Sequence, residues 1–350
     1  MGSVFFRKSI HVLTLLLIIG ITSCTNSKKE TIGVIPLPTN IEVTGGTFNL
    51  PEKVTIHSNS ALLRNVEKYM QNMWEFEHGS SIERSKDNAT VNLVLSRNLR
   101  GLKNDGYQLS ISANGIYIRA KTKKGIFYGI QTFRQLVTKQ EDSTLSLKMV
   151  EITDIPRFAY RGFDLDLCRH FYSKEEVMNF IDVMASLKMN KLCIELSDDT
   201  GWRIEIKKYP KLTEIGAWRK SIGYKENEKL GINTSENKRY GGFYTQEDIR
   251  QIVRYAKERY IDIIPQFDIT NHIGAAARVF PQLVCDPNDI REDMTDESEY
   301  TIGCLSKEEN LQFWKDVIDE VAQLFPYEYI HIGSGCINYG DDRKLCDSCK

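Results

Sequence analysis

From Ile35 onward the apolar residues recur in two rhythms, and the switches between them mark the predicted elements. Val54 to His57 and Val91 to Leu95 are short β-branched runs that read as strands, whereas Ala61 to Phe76 repeats its apolar positions at helical spacing. Gly106 to Ile111 and Gly115 to Ala120 alternate apolar and polar positions on either side of Ala113-Asn114. An asparagine followed by glycine suits a tight turn, so the pair predicts a hairpin. A helix follows Lys124-Gly125, with Phe127, Ile130, Phe133, Leu136 and Val137 on its apolar face. No catalytic constellation appears in this part, which reads as a small α+β supporting domain.

Beyond Asp154-Ile-Pro156 the rhythm becomes strand, helix, strand. Arg161-Gly-Phe-Asp-Leu-Asp-Leu is an apolar run broken by two aspartates, and it leads through Arg169-His170-Phe171 into a helix with Ser173 as N-cap and Glu176 as capping-box partner. Val177, Phe180, Ile181, Met184 and Leu187 follow at helical spacing, and Lys191 to Ser197 reads as a buried strand ending in Asp198-Asp199-Thr-Gly-Trp202-Arg203. Thr245-Gln-Glu-Asp248 caps a further helix running to Tyr260, Ile261 to Ile269 forms a third strand ending at Thr270-Asn-His272, and Tyr329-Ile-His331-Ile-Gly333 forms a fourth after a helix from Glu308 to Leu324.

Four parallel strands separated by helices predict a barrel or an open doubly wound sheet. In a parallel barrel the chemistry lies just past the carboxyl ends of the strands, which makes Arg169, Asp198, Asp199 and Trp202 candidate site residues. The competing reading is that Asp198 and Asp199 only terminate a strand and cap the turn after it. An eight-fold barrel needs about 250 residues, more than Arg157 to Lys350 supplies, so the count predicts half a barrel. The expected organisation is a signal over 1–24, a tether over 25–34, the α+β domain over 35–155 and a partial barrel over 156–350.

Composition narrows the partners. The 350 residues are 41% hydrophobic and 27% charged with a net charge of -1, and no sustained basic run argues for nucleic acid. Arg7 and Lys8 precede an apolar run from Val12 to Ile21 that is too short for a permanent membrane span, and Ile21-Thr-Ser-Cys24 closes it like a bacterial lipoprotein signal. The expectation is a lipidated Cys24 that holds the protein on the cell envelope; an ordinary secretory signal cleaved nearby is the alternative. Of eight cysteines, Cys346 and Cys349 are the only tight pair, and without a second close ligand pair they predict buried free thiols and an incidental local pair. Neither a metal site nor a cofactor is expected.

The longest ordered motifs carry a resemblance. Arg161-Gly with Asp166 and Arg169-His-Phe, then Leu196-Ser-Asp-Asp-Thr-Gly-Trp-Arg-Ile-Glu-Ile-Lys-Lys-Tyr-Pro-Lys-Leu-Thr, then Gly241-Gly-Phe-Tyr-Thr-Gln-Glu-Asp-Ile are similar to family-20 glycoside hydrolases, the β-N-acetylhexosaminidases. Ile35 to Val150 resembles the accessory domain that precedes the barrel in that family. The resemblance implies an α/β protein, a small α+β N-terminal domain followed by the first four β/α units of a TIM-type barrel, acting on terminal N-acetylhexosamine residues of glycans. It also implies a substrate-assisted reaction, in which the sugar's own acetamido group attacks, an aspartate stabilises it and the adjacent glutamate is the acid.

By that resemblance Arg169, Asp198, Trp202, His272 and His331 contact substrate, and Asp198 with His272 forms the relay that tunes the acid. The family's His-Ile-Gly-Gly-Asp-Glu reads here His331-Ile-Gly-Ser-Gly335-Cys336, so the stabiliser and acid positions hold Gly335 and Cys336. The expectation is therefore an envelope protein of the hexosaminidase family with a degenerate motif, interrupted after half a barrel and without hydrolytic activity, binding N-acetylhexosamine glycans weakly or not at all. The alternatives are a non-catalytic sugar-binding or scaffold lipoprotein and a gene fragment without function.

Overall fold

The computed structural model describes residues 32–87, 89–220, 239–290, 301–333 and 345–349. The first layer is a mixed sheet built from β1 (Asn40–Asn49), β2 (Thr55–Ser58), β3 (Glu83–Arg84), β4 (Val91–Leu95), β5 (Tyr107–Ser112), β6 (Gly115–Ala120), β7 (Thr138–Lys139) and β8 (Leu145–Asp154), with α1 (Arg64–His78) and α2 (Lys123–Leu136) packed on it. Strand order is β1-β8-β5-β6-β4-β2-β3, with β7 against β8. The predicted hairpin is β5 and β6, paired from Tyr107 with Ala120 to Ser112 with Gly115. Its alternation puts Tyr107, Leu109 and Ile111 in the core, each such side chain contributing about 1.5–3 kcal/mol.

The Thr122 side chain caps α2 by accepting from the Gly125 amide, and the helix lies so close to the sheet that a Cβ on Gly129 would stand 2.4 Å from Ile118 Cγ2. The long edge strand β1 and its inner neighbour β8 went unread in the sequence. β1 is mostly solvent-exposed, and its register shifts between Val43 and Thr47, where Gly45 and Gly46 have positive φ; a bulged edge strand lacks the alternation that marks a strand.

The second layer contains a parallel sheet of β9 (Gly162–Asp166), β10 (Lys191–Glu195) and β13 (Asp262–Gln266), with β10 in the middle. Register runs Gly162, Lys191, Asp262 at the amino end to Asp166, Glu195, Gln266 at the carboxyl end. The connecting helices α3 (Lys174–Ser186) and α4 (Gln246–Glu258) both begin with complete capping boxes, Ser173 with Glu176 and Thr245 with Asp248. Strands follow one another across the sheet in chain order, the progression of a barrel rather than of a doubly wound sheet, whose order reverses.

The expected fourth strand is a correction. Tyr329 to Ile332 reduces to a single parallel bridge between His331 and Gln266, with Phe267 N donating to His331 O at 2.9 Å and His331 N to Pro265 O at 2.9 Å. Tyr329 and Ile332 are 59% and 51% exposed, and among the described residues no strand pairs with their outer side. A segment held on one side only has half the hydrogen bonds and packing of an inner strand.

Between β10 and α4 the chain makes a π-turn (Leu212–Gly216) and a two-stranded ribbon, β11 (Trp218–Lys220) and β12 (Arg239–Gly241). A short helix, α5 (Gly274–Ala277), follows β13, and α6 (Glu308–Ala322) packs Phe313, Trp314, Val317 and Val321 inward. Among the described residues no helix is long and apolar enough to cross a membrane.

The first layer closes the amino end of the parallel sheet. Arg161, just before β9, donates to Tyr128 Oη at 2.9 Å and to Lys188 O at 2.8 Å. Lys188, just before β10, reaches Tyr107 Oη at 3.1 Å and Asp154 Oδ2 at 3.4 Å. Tyr260, just before β13, lies against Phe127 with ring centroids 5.2 Å apart. The carboxyl ends of all three strands are therefore left on the far side, where the polar turns gather.

Candidate functional site

β9 ends at Asp166, whose Oδ1 accepts from the amides of Cys168 at 2.8 Å and Arg169 at 3.0 Å, while Oδ2 accepts from Arg169 Nη1 at 2.7 Å. The guanidinium also lies 3.6 Å from Glu195 Oε2 at the end of β10 and 3.8 Å from Asp198 Oδ2 in the turn beyond. The β11–β12 ribbon folds over this turn. Arg219 Nη2 donates to Arg169 O at 2.8 Å, and Tyr240 Oη meets His170 Nδ1 at 2.8 Å. The Arg169 side chain keeps 34% of its surface open, enough for its remaining donors to reach a ligand.

Three carboxyl groups around one guanidinium cannot all be neutralised by it. Burial opposes charge on Arg169, yet Asp198, Asp166 and Glu195 together hold its pKa above the ordinary arginine value. Burial, joined by Asp166 and Asp198 and opposed by Arg169, pushes Glu195 up to about 9. Burial also raises Asp198, with Arg169 pulling the other way.

The two aspartates that follow β10 diverge. Asp198 turns back into its own loop, where Oδ1 accepts from Thr200 N at 2.6 Å, Thr200 Oγ1 at 2.7 Å and Gly201 N at 3.0 Å. Asp199 reaches across to the loop after β13: Oδ1 accepts from Gly274 N at 2.8 Å and Thr301 N at 3.1 Å, and Oδ2 pairs with His272 Nδ1 at 2.8 Å. The partner of His272 is thus Asp199 and not the expected Asp198, because consecutive residues in a turn project to different sides and only Asp199 faces β13.

Two backbone features keep this pair in register. His272 has φ of 54°, left-handed backbone that costs a non-glycine residue about 1–3 kcal/mol and is held by the contacts around it. A Cβ on Gly274 would sit 2.6 Å from Asp199 Oδ1, so only glycine lets the amide approach. Burial lowers the His272 pKa, but the hydrogen bond and charge of Asp199 outweigh it, and the net shift is upward.

Arg169, Asp198, Asp199 and His272 therefore share one rim. Trp202 does not join them. It is fully buried, its Nε1 donates to Ile204 O at 2.7 Å, and its ring packs against Phe267, Phe313 and Trp314 with centroids 5.8, 6.5 and 6.3 Å away. Its expected role as a substrate contact is a correction: an indole so enclosed is core. His331 is exposed on the single bridge beside β13. Cys24, Gly335 and Cys336 lie outside the described residues.

Asp166, Glu195 and Asp268 were missed as rim residues. Asp268 is buried at the end of β13, where Oδ1 has no hydrogen-bond partner among the described residues, and Gly333, at φ 78°, passes close enough that a Cβ would lie 2.4 Å from that oxygen. Burial raises its pKa, opposed by His272. The available signal was positional: each is an acidic residue at or just past the carboxyl end of a strand, where a parallel barrel places its chemistry. The Cys346–Cys349 pair is also corrected, since Cys285 and Cys304 fold against it; that cluster stands apart from the rim acids. Chemically, the rim offers a partly open guanidinium, a carboxyl group of raised pKa and a histidine held by a buried carboxylate, groups suited to grasping hydroxyls and steering protons.

Comparison with known proteins agrees with both layers. The model of "Glycosyl hydrolase family 20, catalytic domain" matches residues 158–342, and that of "Glycosyl hydrolase family 20, domain 2" matches residues 31–155. The chain is 35% identical over 356 residues to a beta-hexosaminidase of Porphyromonas gingivalis, covering 95% of this chain and 43% of that protein. It is 35% identical over 306 residues to a beta-hexosaminidase of Vibrio furnissii, covering 87% and 48%.

Among solved structures, the GH20 exo beta-N-acetylglucosaminidase of Vibrio harveyi in complex with N-acetylglucosamine superposes with a TM-score of 0.76 at 31% identity, over 88% of this chain and 47% of that one. The N-acetyl-beta-hexosaminidase of Streptomyces plicatus gives 0.74 at 30% identity, over 86% and 58%. The chain spans about half the length of the curated relatives it matches first. With its mixed sheet sealing the amino end of a parallel sheet and its charged residues collected at the other end, this chain belongs to glycosyl hydrolase family 20.

Proposed function

We propose that the rim around Arg169 binds the terminal N-acetylhexosamine residue of a glycan, and that the chain does not carry out the family's hydrolysis. The observation that carries the first half is the Arg169 guanidinium, fixed by Asp166 at 2.7 Å and flanked by Glu195 and Asp198 at 3.6 and 3.8 Å, with 34% of the side chain still open. A planar fork held in this way can give paired hydrogen bonds to neighbouring sugar hydroxyls, and a solved relative carries N-acetylglucosamine. The second half rests on Gly335 and Cys336, which stand in the sequence where the resemblance places the stabilising aspartate and the acid. A thiol with an ordinary pKa of about 8.5 is a poor acid toward a glycosidic oxygen, and loss of general acid catalysis costs about 100-fold to 10,000-fold.

Calorimetric titration with N-acetylglucosamine tests the binding. The expected result is measurable affinity in the natural chain and at least about tenfold weaker binding in Arg169→Ala, the loss of one or two charge-assisted hydrogen bonds. An equal affinity in both proteins removes the role given to Arg169. Release of chromophore from an aryl N-acetyl-β-glucosaminide above a hydrolase-free blank, abolished in Arg169→Ala, would overturn the inactivity.

We further propose export as an envelope lipoprotein through Cys24, supported by the charged, apolar and small-residue succession from Arg7 to Cys24. Radiolabelled palmitate should enter the natural protein in a bacterial host and not Cys24→Ala; equal labelling removes that reading.

A further inference from the structure

We propose that Cys285, Cys304, Cys346 and Cys349 form a structural site for a single zinc ion. Their four sulfurs all lie within 4.8 Å of one another, and Cys304 Sγ is 3.8 Å from both Cys346 Sγ and Cys349 Sγ. Four thiolates placed tetrahedrally at the usual Zn–S bond length of about 2.3 Å would be separated by about 3.8 Å. A disulfide would bring two of these sulfurs to about 2.05 Å. An iron–sulfur cluster places several iron and sulfide atoms between its cysteines and spreads them further than one ion does. An all-sulfur, four-ligand, tetrahedral spacing is the donor set and geometry of structural zinc.

The ligands are held in place by a network of hydrogen bonds to their backbone. Cys285 and Cys304 flank the antiparallel bridge between Val284 and Gly303, and Cys304 N donates to Leu283 O at 2.7 Å. Asn310 Nδ2 on α6 ties the two arms by donating to Gln282 O at 2.9 Å and Cys304 O at 2.7 Å. The other two ligands sit on one turn, closed by Cys349 N to Cys346 O at 2.9 Å, the two-residue spacing common in zinc sites. Ser306 Oγ lies 3.2 Å from Cys304 Sγ and 3.3 Å from Cys346 Sγ, where a hydroxyl can donate to a metal-bound thiolate and offset its charge. Cys304 is buried and the other three are partly open, so an ion has a path in.

The site is joined to the rim without being part of it. Gly303 N donates to Thr270 O at 2.9 Å, Ile273 N to Thr301 O at 3.3 Å, and Thr301 N to Asp199 Oδ1 at 3.1 Å. An ion that clasps the arm carrying Cys304 to the turn carrying Cys346 thus braces the loop that holds His272. The inference does not depend on the glycan reading, and its test reads metal rather than sugar.

The experiment is elemental analysis by inductively coupled plasma mass spectrometry of the full chain, purified without chelator, together with its intact mass under denaturing, non-reducing conditions. About one zinc per chain is expected, with these four cysteines reduced. Cys346→Ser with Cys349→Ser should lose the metal, whereas Cys193→Ser, on β10 and remote from the cluster, should keep it. Because the double variant could fail to fold, the natural chain is also stripped with a chelator and reloaded with cobalt(II), which should give the visible absorption of tetrahedral thiolate coordination. A metal-free protein whose mass shows two disulfides, a metal-free protein with free thiols that takes up no cobalt, or a brown iron-containing protein would each overturn the proposal.

Discussion

Asp198 and Asp199 are neighbours in the chain, yet one closes its own turn and the other anchors a loop from a different strand. The difference is testable through His272, whose pKa is raised by Asp199 against the effect of burial. Nuclear magnetic resonance titration should find His272 above its ordinary 6.5, and Asp199→Asn should bring it down, while Asp198→Asn should leave it little changed. Stability should move with the same group. A histidine raised in the folded state stabilises it fully below the unfolded value near 6.5, and this contribution disappears as pH rises through the folded value.

Glu195 has a similar sign for a different reason. Burial first, then Asp166 and Asp198, lift it from 4.5 to about 9, so the folded state resists an ionisation that the unfolded chain undergoes freely. Its contribution should make stability fall with pH between about 4.5 and about 9, and Glu195→Gln should flatten that slope in urea melts taken across the range. An unchanged slope would mean that Glu195 is already ionised beside Arg169.

At the scale of elements, one buried side chain joins the long excursion between β10 and α4 to the end of β9. Arg203 donates to the carbonyls of Leu167 at 2.9 Å, Ala217 at 2.7 Å and Gly242 at 3.0 Å, and also to Cys168, tying the end of β9, the π-turn and the ribbon together. Replacing it by leucine leaves these buried acceptors without donors, each worth about 1–3 kcal/mol. Arg203→Leu should therefore lower unfolding free energy by about 3 kcal/mol or more, and loss of the ribbon should weaken N-acetylglucosamine binding alongside. A variant as stable as the natural chain would show that water satisfies the carbonyls.

Across the whole molecule, the two layers meet through polar contacts that the core surrounds. Lys188 is buried, its pKa lowered by burial and supported by Asp154, and it spans the boundary to Tyr107. Removing one member of such a pair leaves the other charge buried, a loss of about 3–5 kcal/mol. Lys188→Met should show that loss in denaturant melts. If the layers depend on each other for stability, fluorescence from Trp74 in the first layer and Trp202 in the second should still change in one transition at a lower midpoint; two separated transitions would show that this contact couples them.

Elements that depend on a short window of residues were legible along the chain. The capping boxes at Ser173 and Thr245, the β5–β6 hairpin around Asn114 and the apolar faces of α2 and α3 are settled by neighbours within a few positions, and each formed where its residues indicated. The ordered motifs around Arg169 and Trp202 likewise sufficed to indicate the family.

Tertiary structure decided everything that joins distant segments. It chose Asp199 over Asp198 as the partner of His272, sent Trp202 into the core, reduced the fourth strand to one bridge and set Cys285 and Cys304 against Cys346 and Cys349. The physical reason is the same in each case. Side-chain direction and burial depend on which backbone arrives from elsewhere, and a pattern of residue types along the chain records spacing but not arrival.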